Sequence, residues 1–524
     1  MNRKTLSCFF LMLIILSSTL LSSCTIPPLK EIYKPYQQTP DVNPIIIIPG
    51  IKGSELKNNK NQNVWGGWLQ IIPSNFDDLK LYAIDDEKLN NDNNFEVFNQ
   101  SSIVKASAVF RRWRLLSILG KSSDLDIYDD LYETLKNFGN YVDADNQIEY
   151  DDMGNLNEVY KNKSAKINET NKNRAIFSFY YDWRRDNILN AVNLGKFIKA
   201  IKKTYYSDQD KVQFDIVAHS MGGLIARFYV GYHSFCDRAD KDPTLIYRSI
   251  HSEMPDTNLP DSIHKVILLG TPNGGSMTIF HAFYDGSGVE TLSKKKVWNI
   301  IPTMPSAYEL LPQCCIGECF LALKNQPDTQ NFLKQTNDKA KCDPQNGKFS
   351  IFDHDVWQDM EWSAFSKEWE QDGLQKKKQR LISKGLARAE EFTYLLKKTS
   401  NTNQKYFILL GGDCASTLHK GLLYEPGKEE MKPNSTKQNK RKVVFEESEL
   451  KRIYKYNNEN FESTAYFKPG DGVVPRAESM LTLTPASASF ACQSHGSLFK
   501  DDTLKDNLLY ELLIKDRGEL KEHP

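Results

Sequence analysis

The chain has 524 residues, with 67 Lys and Arg against 67 Asp and Glu, so its formal net charge is zero. That balance builds no strong field toward nucleic acid, and a chain 40% hydrophobic and 11% aromatic is neither disordered nor fibrous. Its length exceeds a minimal domain, yet no internal repeat is present, so one domain with large insertions is expected.

At the N-terminus, Arg3 and Lys4 precede an apolar run from Leu6 to Leu21. The run is shorter than the ~20 residues of a spanning helix, and residues 1–23 are expected to be a signal peptide. Leu21-Ser22-Ser23-Cys24 resembles a bacterial lipobox, which implies a lipid on Cys24; Thr25 after it implies sorting to the outer membrane in a cell with two membranes. The expected location is the bacterial cell envelope, with the body held at the membrane through its lipid. Residues 24–42, with Pro27, Pro28, Pro35 and Pro40, read as a tether. The catalytic body is expected over residues 43–524.

Short apolar runs then alternate with helical patterns, the mark of a buried parallel sheet flanked by helices. The strands are predicted at 45–48, 175–179, 214–218, 265–269 and 406–410. A helix is predicted with Ile188, Val192, Phe197, Ile198 and Ile201 on one face, and another over 381–398 with Leu386, Ala389, Phe392 and Leu396 aligned. Two insertions interrupt the alternation, at about 58–170 and 277–380, the second in the place of a cap. A hydrophilic stretch at 424–450, with Lys437, Lys440, Arg441 and Lys442, reads as a solvated loop.

Ala218-His219-Ser220-Met221-Gly222 lies between a strand and a helix, with small residues two before and two after the serine. This is the pattern of a nucleophile elbow, whose turn is too tight for large neighbours. A serine hydroxyl needs a base, and the base an orienting carboxylate, here in the chain order serine, acid, histidine. His495 is the expected base and Asp471, in the glycine-bounded Gly470-Asp471-Gly472, the expected acid; Asp413 is the rival acid. Acyl transfer also needs oxyanion donors. The backbone N–H of Met221 is one, and the loop Pro49-Gly50-Ile51-Lys52-Gly53-Ser54 offers Ile51 first and Lys52 second.

Beyond Cys8 and Cys24 the cysteines are Cys236, Cys314, Cys315, Cys319, Cys342, Cys414 and Cys492. An export compartment permits disulfides, and an odd count leaves at least one thiol unpaired within the chain. No histidine stands near Cys314, Cys315 and Cys319 at a zinc-site spacing, so a disulfide to Cys342 or another partner is expected rather than a metal.

Several motifs extend the pattern: Tyr181-Asp182-Trp183-Arg184, Gly270-Thr271-Pro272-Asn273-Gly274-Gly275-Ser276 and Ser306-Ala307-Tyr308-Glu309-Leu310-Leu311-Pro312. With Pro49-Gly50, Gly53-Ser54, the elbow, Gly470-Asp471-Gly472 and His495, they are collinear over residues 45–500. Together they resemble the lecithin–cholesterol acyltransferase and lysosomal phospholipase A family of α/β-hydrolases, including its bacterial lipase-like members. The resemblance implies Ser220, Asp471 and His495 as triad and Ile51 and Met221 as oxyanion donors. It implies ester hydrolysis or acyl transfer on lipids with no metal or cofactor. The chain departs from the family at Asn273, where members often carry an aromatic residue or histidine, and in a longer insertion over 85–165.

Val64-Trp65-Gly66-Gly67-Trp68-Leu69 and Phe110-Arg111-Arg112-Trp113 mix aromatic and basic residues as membrane-facing segments do. Trp65 and Trp68 are candidate lipid contacts, with a buried cap core the competing reading. Trp362, Phe365 and Trp369 share a helical face, read as core in preference to a lid over acyl chains. His219 is expected to serve packing, and Tyr181 to Arg184 to tie loops together. The expected function is a lipid-anchored serine esterase of the envelope acting on acyl-lipid esters, phospholipase- or O-acyltransferase-type, with no nucleic-acid partner. The alternatives are a carboxylesterase for soluble or polymeric esters, and a non-catalytic lipoprotein that binds through its cap.

Overall fold

The structure is a computed structural model. It describes residues 27–39, 42–66, 76–81, 95–98, 101–110, 127–162, 166–209, 211–248, 250–286, 294–337, 349–366, 375–399, 402, 404–426, 441–481 and 483–514. The expected signal peptide, Cys24, Trp68, Trp113, Cys342, Trp369, Lys437 and Lys440 lie outside these residues.

Four consecutive isoleucines form strand β1 (Ile45–Ile48), and none retains any exposure. Branched side chains of this kind suit a strand covered on both faces, and each buried one contributes roughly 1.5–3 kcal/mol. The other strands of the main sheet are β2 (Val142–Asp143), β3 (Ala175–Ser178), β4 (Phe214–His219), β5 (Ile263–Leu269), β6 (Phe407–Gly412) and β7 (Ser487–Ala491). They lie in the order β7-β6-β5-β4-β1-β3-β2, and every neighbouring pair is parallel. The chain therefore builds one half of the sheet, crosses β1, and builds the other half. The crevice at that reversal, between the carboxyl ends of β1 and β4, is where ligands bind in open sheets of this type.

The flanking helices include α1 (Ile127–Gly139), α2 (Asn187–Tyr205), α3 (Met221–Gly231), α4 (Gln375–Lys398) and α5 (Asp502–Leu513). Helix α2 starts at Asp186, whose carboxylate accepts the amide of Ile188, as a good N-cap does. The predicted apolar faces of α2 and α4 are buried. Helix α2 packs on α3 and α3 on α4, while α5 packs on α1 and on a short helix, Leu29–Tyr33. This is the α/β-hydrolase architecture.

Three expectations need correction. The tether was expected to span residues 24–42, but Leu29–Tyr33 is helical and Tyr33 is buried, its hydroxyl donating to the Asp506 carboxylate at 2.7 Å. An aromatic ring with a partner for its hydroxyl docks this segment on the body. The segment 58–170 is not wholly an insertion, because α1 and the edge strand β2 belong to the main body; β2 pairs with β3 through Val142 and Ala175. The stretch 424–450 is not all loop, since Lys442–Val444 completes a small sheet with Phe320–Leu321 and Gly421–Tyr424. In the cap, Trp362 is fully buried and meets Phe280 edge-on at 4.9 Å, which makes it core.

Candidate active site

Strand β4 ends at His219, and the next residue turns sharply. Ser220 has φ 53° and ψ −126°, a conformation that costs an L-residue free energy and is held by its surroundings. Its amide donates to the Leu269 carbonyl at 2.8 Å, and its carbonyl accepts the Gly223 amide at 3.0 Å. Gly222 has no alternative, because a Cβ there would lie 2.5 Å from the Pro49 carbonyl oxygen. Gly50 is equally constrained: its Cβ would stand 2.7 Å from that of Ser220. The loop after β1 thus presses directly on the elbow.

His495 reaches the serine from the loop after β7. Its Nε2 lies 3.0 Å from Ser220 Oγ, and its Nδ1 lies 2.7 Å from Asp471 Oδ2. The other carboxylate oxygen of Asp471 accepts the amides of Val473 at 3.0 Å and Val474 at 2.7 Å. With both oxygens occupied and the side chain buried, Asp471 has one orientation, and it fixes a proton on His495 Nδ1. Nε2 is then free to accept the serine proton. The base loop is tied to the acid loop by the His495 amide, which donates to the Asp471 carbonyl at 2.8 Å. Asp413, the rival acid, faces Arg476 at 3.3 Å instead.

Of the two expected oxyanion donors, Met221 opens α3, where the first amides have no partner within the helix. Ile51 follows Gly50 in the loop that touches Ser220, beside Lys52 in the left-handed region at φ 63°. The motif Tyr181 to Arg184 supports this loop rather than facing it as a contact surface. Tyr181 donates its hydroxyl to the Pro49 carbonyl at 2.7 Å, Trp183 its indole N–H to the Ser54 carbonyl at 3.1 Å, and Arg184 pairs with Asp182 at 2.7 Å.

Trp65 corrects the expectation of a lipid contact. It is 5% exposed, its indole N–H donates to the Lys52 carbonyl at 2.9 Å, and its ring meets Trp183 edge-on at 5.6 Å. A tryptophan whose polar tip is paired inside the fold is core. Asn273, the departure from the family pattern, is buried too: it accepts from Arg227 at 2.8 Å and donates to the Ser479 carbonyl at 2.6 Å. Burial lowers the Arg227 guanidinium to about 10, so a polar partner there has a clear use.

Cysteine pairing is partly settled by the fold. Cys314 bonds Cys319, Cys414 bonds Cys492, Cys315 is also in a disulfide, and Cys236 is a buried free thiol. Cys314 therefore pairs within the cluster rather than with Cys342. The Cys414–Cys492 bond joins the ends of the neighbouring strands β6 and β7, three residues before His495.

Tyr128, on α1, had no signal in the sequence, because it stands far from every motif. Its hydroxyl lies 2.8 Å from His219 Nδ1 and accepts the Gly50 amide at 2.8 Å.

The lecithin:cholesterol acyltransferase family model matches residues 143–481. The chain belongs to this family. The match takes in Ser220 and Asp471 and stops short of His495, which the fold itself brings to Ser220. Lecithin-cholesterol acyltransferase-like 4 of Arabidopsis thaliana is 24% identical over 288 residues, 53% of this chain and 44% of that protein. The match therefore spans less than half the length of that relative. Among solved structures, that of the Tle4–Tli4 complex is similar at 14% identity and a TM-score of 0.49, covering 90% of this chain and 98% of that one. The mature lipase BlEst2 of Bacillus licheniformis is similar at 12% identity and a TM-score of 0.30, covering 91% and 93%.

Proposed function

We propose that this member of the lecithin:cholesterol acyltransferase family is a serine esterase for acyl-lipid esters, working through an acyl-enzyme on Ser220. The observation that carries the reading is the pair of contacts at His495, 3.0 Å to Ser220 Oγ and 2.7 Å to Asp471 Oδ2. His495 Nε2 takes the hydroxyl proton as Ser220 Oγ attacks the ester carbonyl carbon. The carbonyl oxygen becomes an oxyanion held by the backbone amides of Met221 and Ile51. Collapse of that adduct expels the alcohol, which leaves with the proton from His495. Water or a second alcohol, deprotonated in turn by His495, then releases the acyl group and restores Ser220. A lipid on Cys24 would hold this chemistry at a membrane of the cell envelope. Among the described residues no helix is long and apolar enough to cross a membrane.

A fluorophosphonate should label Ser220 in the native protein and fail on a folded Ser220→Ala variant. Labelling of that variant at full strength, or of another serine in the native protein, defeats the assignment. Substrate class is read from a panel of phospholipid vesicles, other acyl lipids and short soluble esters. The burial of Trp65 favours the second reading, a carboxylesterase for soluble esters, because it removes one expected lipid-facing surface. Comparable turnover of the short esters with none on any lipid would establish that alternative. Anchoring is tested separately: Cys24→Ala should release the protein from the membrane fraction with soluble-ester activity intact, and unchanged retention overturns the lipid anchor.

A further inference from the structure

His219 and His495 stand with ring centroids 4.8 Å apart, so the base has a second imidazole as its neighbour. The hydrogen bonds around His219 fix its state. Its Nε2 faces the backbone carbonyl of His495 at 3.3 Å, and a carbonyl only accepts, so Nε2 carries the proton. Burial holds the ring neutral, with its pKa well below the ordinary histidine value. Nδ1 is therefore bare and accepts the hydroxyl of Tyr128 at 2.8 Å, while the Tyr128 oxygen accepts the Gly50 amide at 2.8 Å. Every donor in this chain points one way: Gly50 to Tyr128 to His219 to the backbone of His495.

From this geometry we propose that Tyr128 and His219 are positioning residues that lock the oxyanion loop, the elbow and the base loop into one rigid unit. The inference rests on the serine-esterase reading above and adds to it two residues that act through the loops they join. The loops after β1 and β4 leave neighbouring strands, whereas the base loop follows β7 at the far edge of the sheet and needs a tie to reach them. Tyr128 supplies that tie at close quarters: a Cβ on Gly53 would lie 2.6 Å from its hydroxyl oxygen, which means the loop is folded around it. The bare Nδ1 also matters when His495 becomes an imidazolium. A neutral neighbour 4.8 Å away adds no charge repulsion, and the Tyr128 hydroxyl holds His219 in that form.

The test is kinetics on a soluble short-chain ester, with fluorophosphonate labelling rates beside it. Tyr128→Phe keeps the ring that packs edge-on against His219 at 5.6 Å and removes only the hydroxyl. It should lower kcat and the labelling rate roughly 10- to 100-fold with KM within about twofold, as a small misplacement of reacting groups does. His219→Leu should lose as much, and His219→Gln, which keeps a donor toward the His495 carbonyl, should recover part of it. In the native protein, the 15N shifts of His219 should report the neutral ring protonated at Nε2. A folded Tyr128→Phe variant with kcat within twofold of native, or with only KM raised, overturns the proposal. So does equal activity of His219→Leu and the native protein, which decides the matter if Tyr128→Phe does not fold. Failure of the native protein to label at Ser220 defeats the esterase reading itself, whereas normal labelling in native and variant alike defeats only this inference.

Discussion

At the carboxyl edge of the sheet, polar side chains converge on one another. Asp471 is held by the amides of Val473 and Val474, and His495 by its contact with Asp471. In the segment between β1 and β3, aromatic side chains pair their polar tips with the backbone of the loop after β1. Trp65 donates to the Lys52 carbonyl, and Tyr128 accepts from Gly50. The first region sets Ser220 Oγ and His495 Nε2 facing each other at 3.0 Å. The second uses its polar tips internally, so its aromatic residues act as supports. At Trp65 and Tyr128 the paired polar tip marks a buttress rather than a contact surface.

The sharpest way to break this contrast is at the acid. Asp471→Asn should lower kcat by about 10⁴, because an amide no longer fixes the productive tautomer of His495. Asp413→Asn should stay within about threefold on the same ester, since its partner is the surface residue Arg476. Equal losses in the two variants would remove the distinction between an aimed carboxylate and a turn carboxylate.

The second prediction concerns the supporting side. Trp65→Ala empties a packed site beside Trp183 and should cost about 3–5 kcal/mol of stability, read as a fall in the urea midpoint. Activity per folded molecule on vesicles and on a soluble ester should fall together, and Trp65→Phe should be much milder. A stable Trp65→Ala protein with a loss confined to vesicles would restore the lipid-facing role.

What was legible in the sequence follows the same division. The isoleucine run of β1 forms the predicted strand, and the fold brings Ser220, His495 and Asp471, each picked out by a local pattern, within hydrogen-bond distance of one another. Strand β7 was not predicted, because Ser487–Ala491 is an edge strand of small, partly exposed residues with no apolar run. Tyr128 was missed because its partner His219 lies 91 residues away and one tyrosine near a helix start carries no signal. His219 was read as packing, and its neighbours turn that packing into a directed hydrogen-bond chain. Trp65 stayed open between lipid contact and buried core because an aromatic-rich segment serves a bilayer and a core equally well. Burial of the ring, with a partner for the indole N–H, decides for core at Trp65.

The third prediction joins the two regions. The Cys414–Cys492 disulfide closes a sequence separation of 78 residues and pins β6 to the start of the base loop. Replacing both cysteines by serine should cost about 2–4 kcal/mol and lower kcat a few-fold, as the His495 loop gains freedom. The loss should persist under oxidising conditions in the variant and be mimicked in the native protein by a reductant. A native protein whose activity and melting temperature ignore reductant would show that the sheet edge alone holds the loop.

The smallest expected effect lies where the acid loop meets the cap. Glu478 follows Asp471 by one short turn, its carbonyl accepts the Gly274 amide at 2.9 Å, and its carboxyl stands 3.5 Å from His419. Burial, with a lesser push from Glu318, raises its pKa from 4.5 to about 7. His419 is itself held below its ordinary value by burial and by Lys420 and Lys468, so it is a weak counter-charge. Because the folded pKa is the higher one, the folded state keeps this proton while the unfolded chain has lost it. The stabilisation is complete below pH 4.5, declines as pH rises, and is gone above about pH 7. Glu478→Gln, which stays neutral, should therefore match the native protein at pH 4.5 and exceed it at pH 8 by on the order of 1–2 kcal/mol. Melting curves of both proteins across that range provide the check. A difference that does not grow with pH would mean that Glu478 is ionised throughout, and that the junction between acid loop and cap is as open to water as the surface around it.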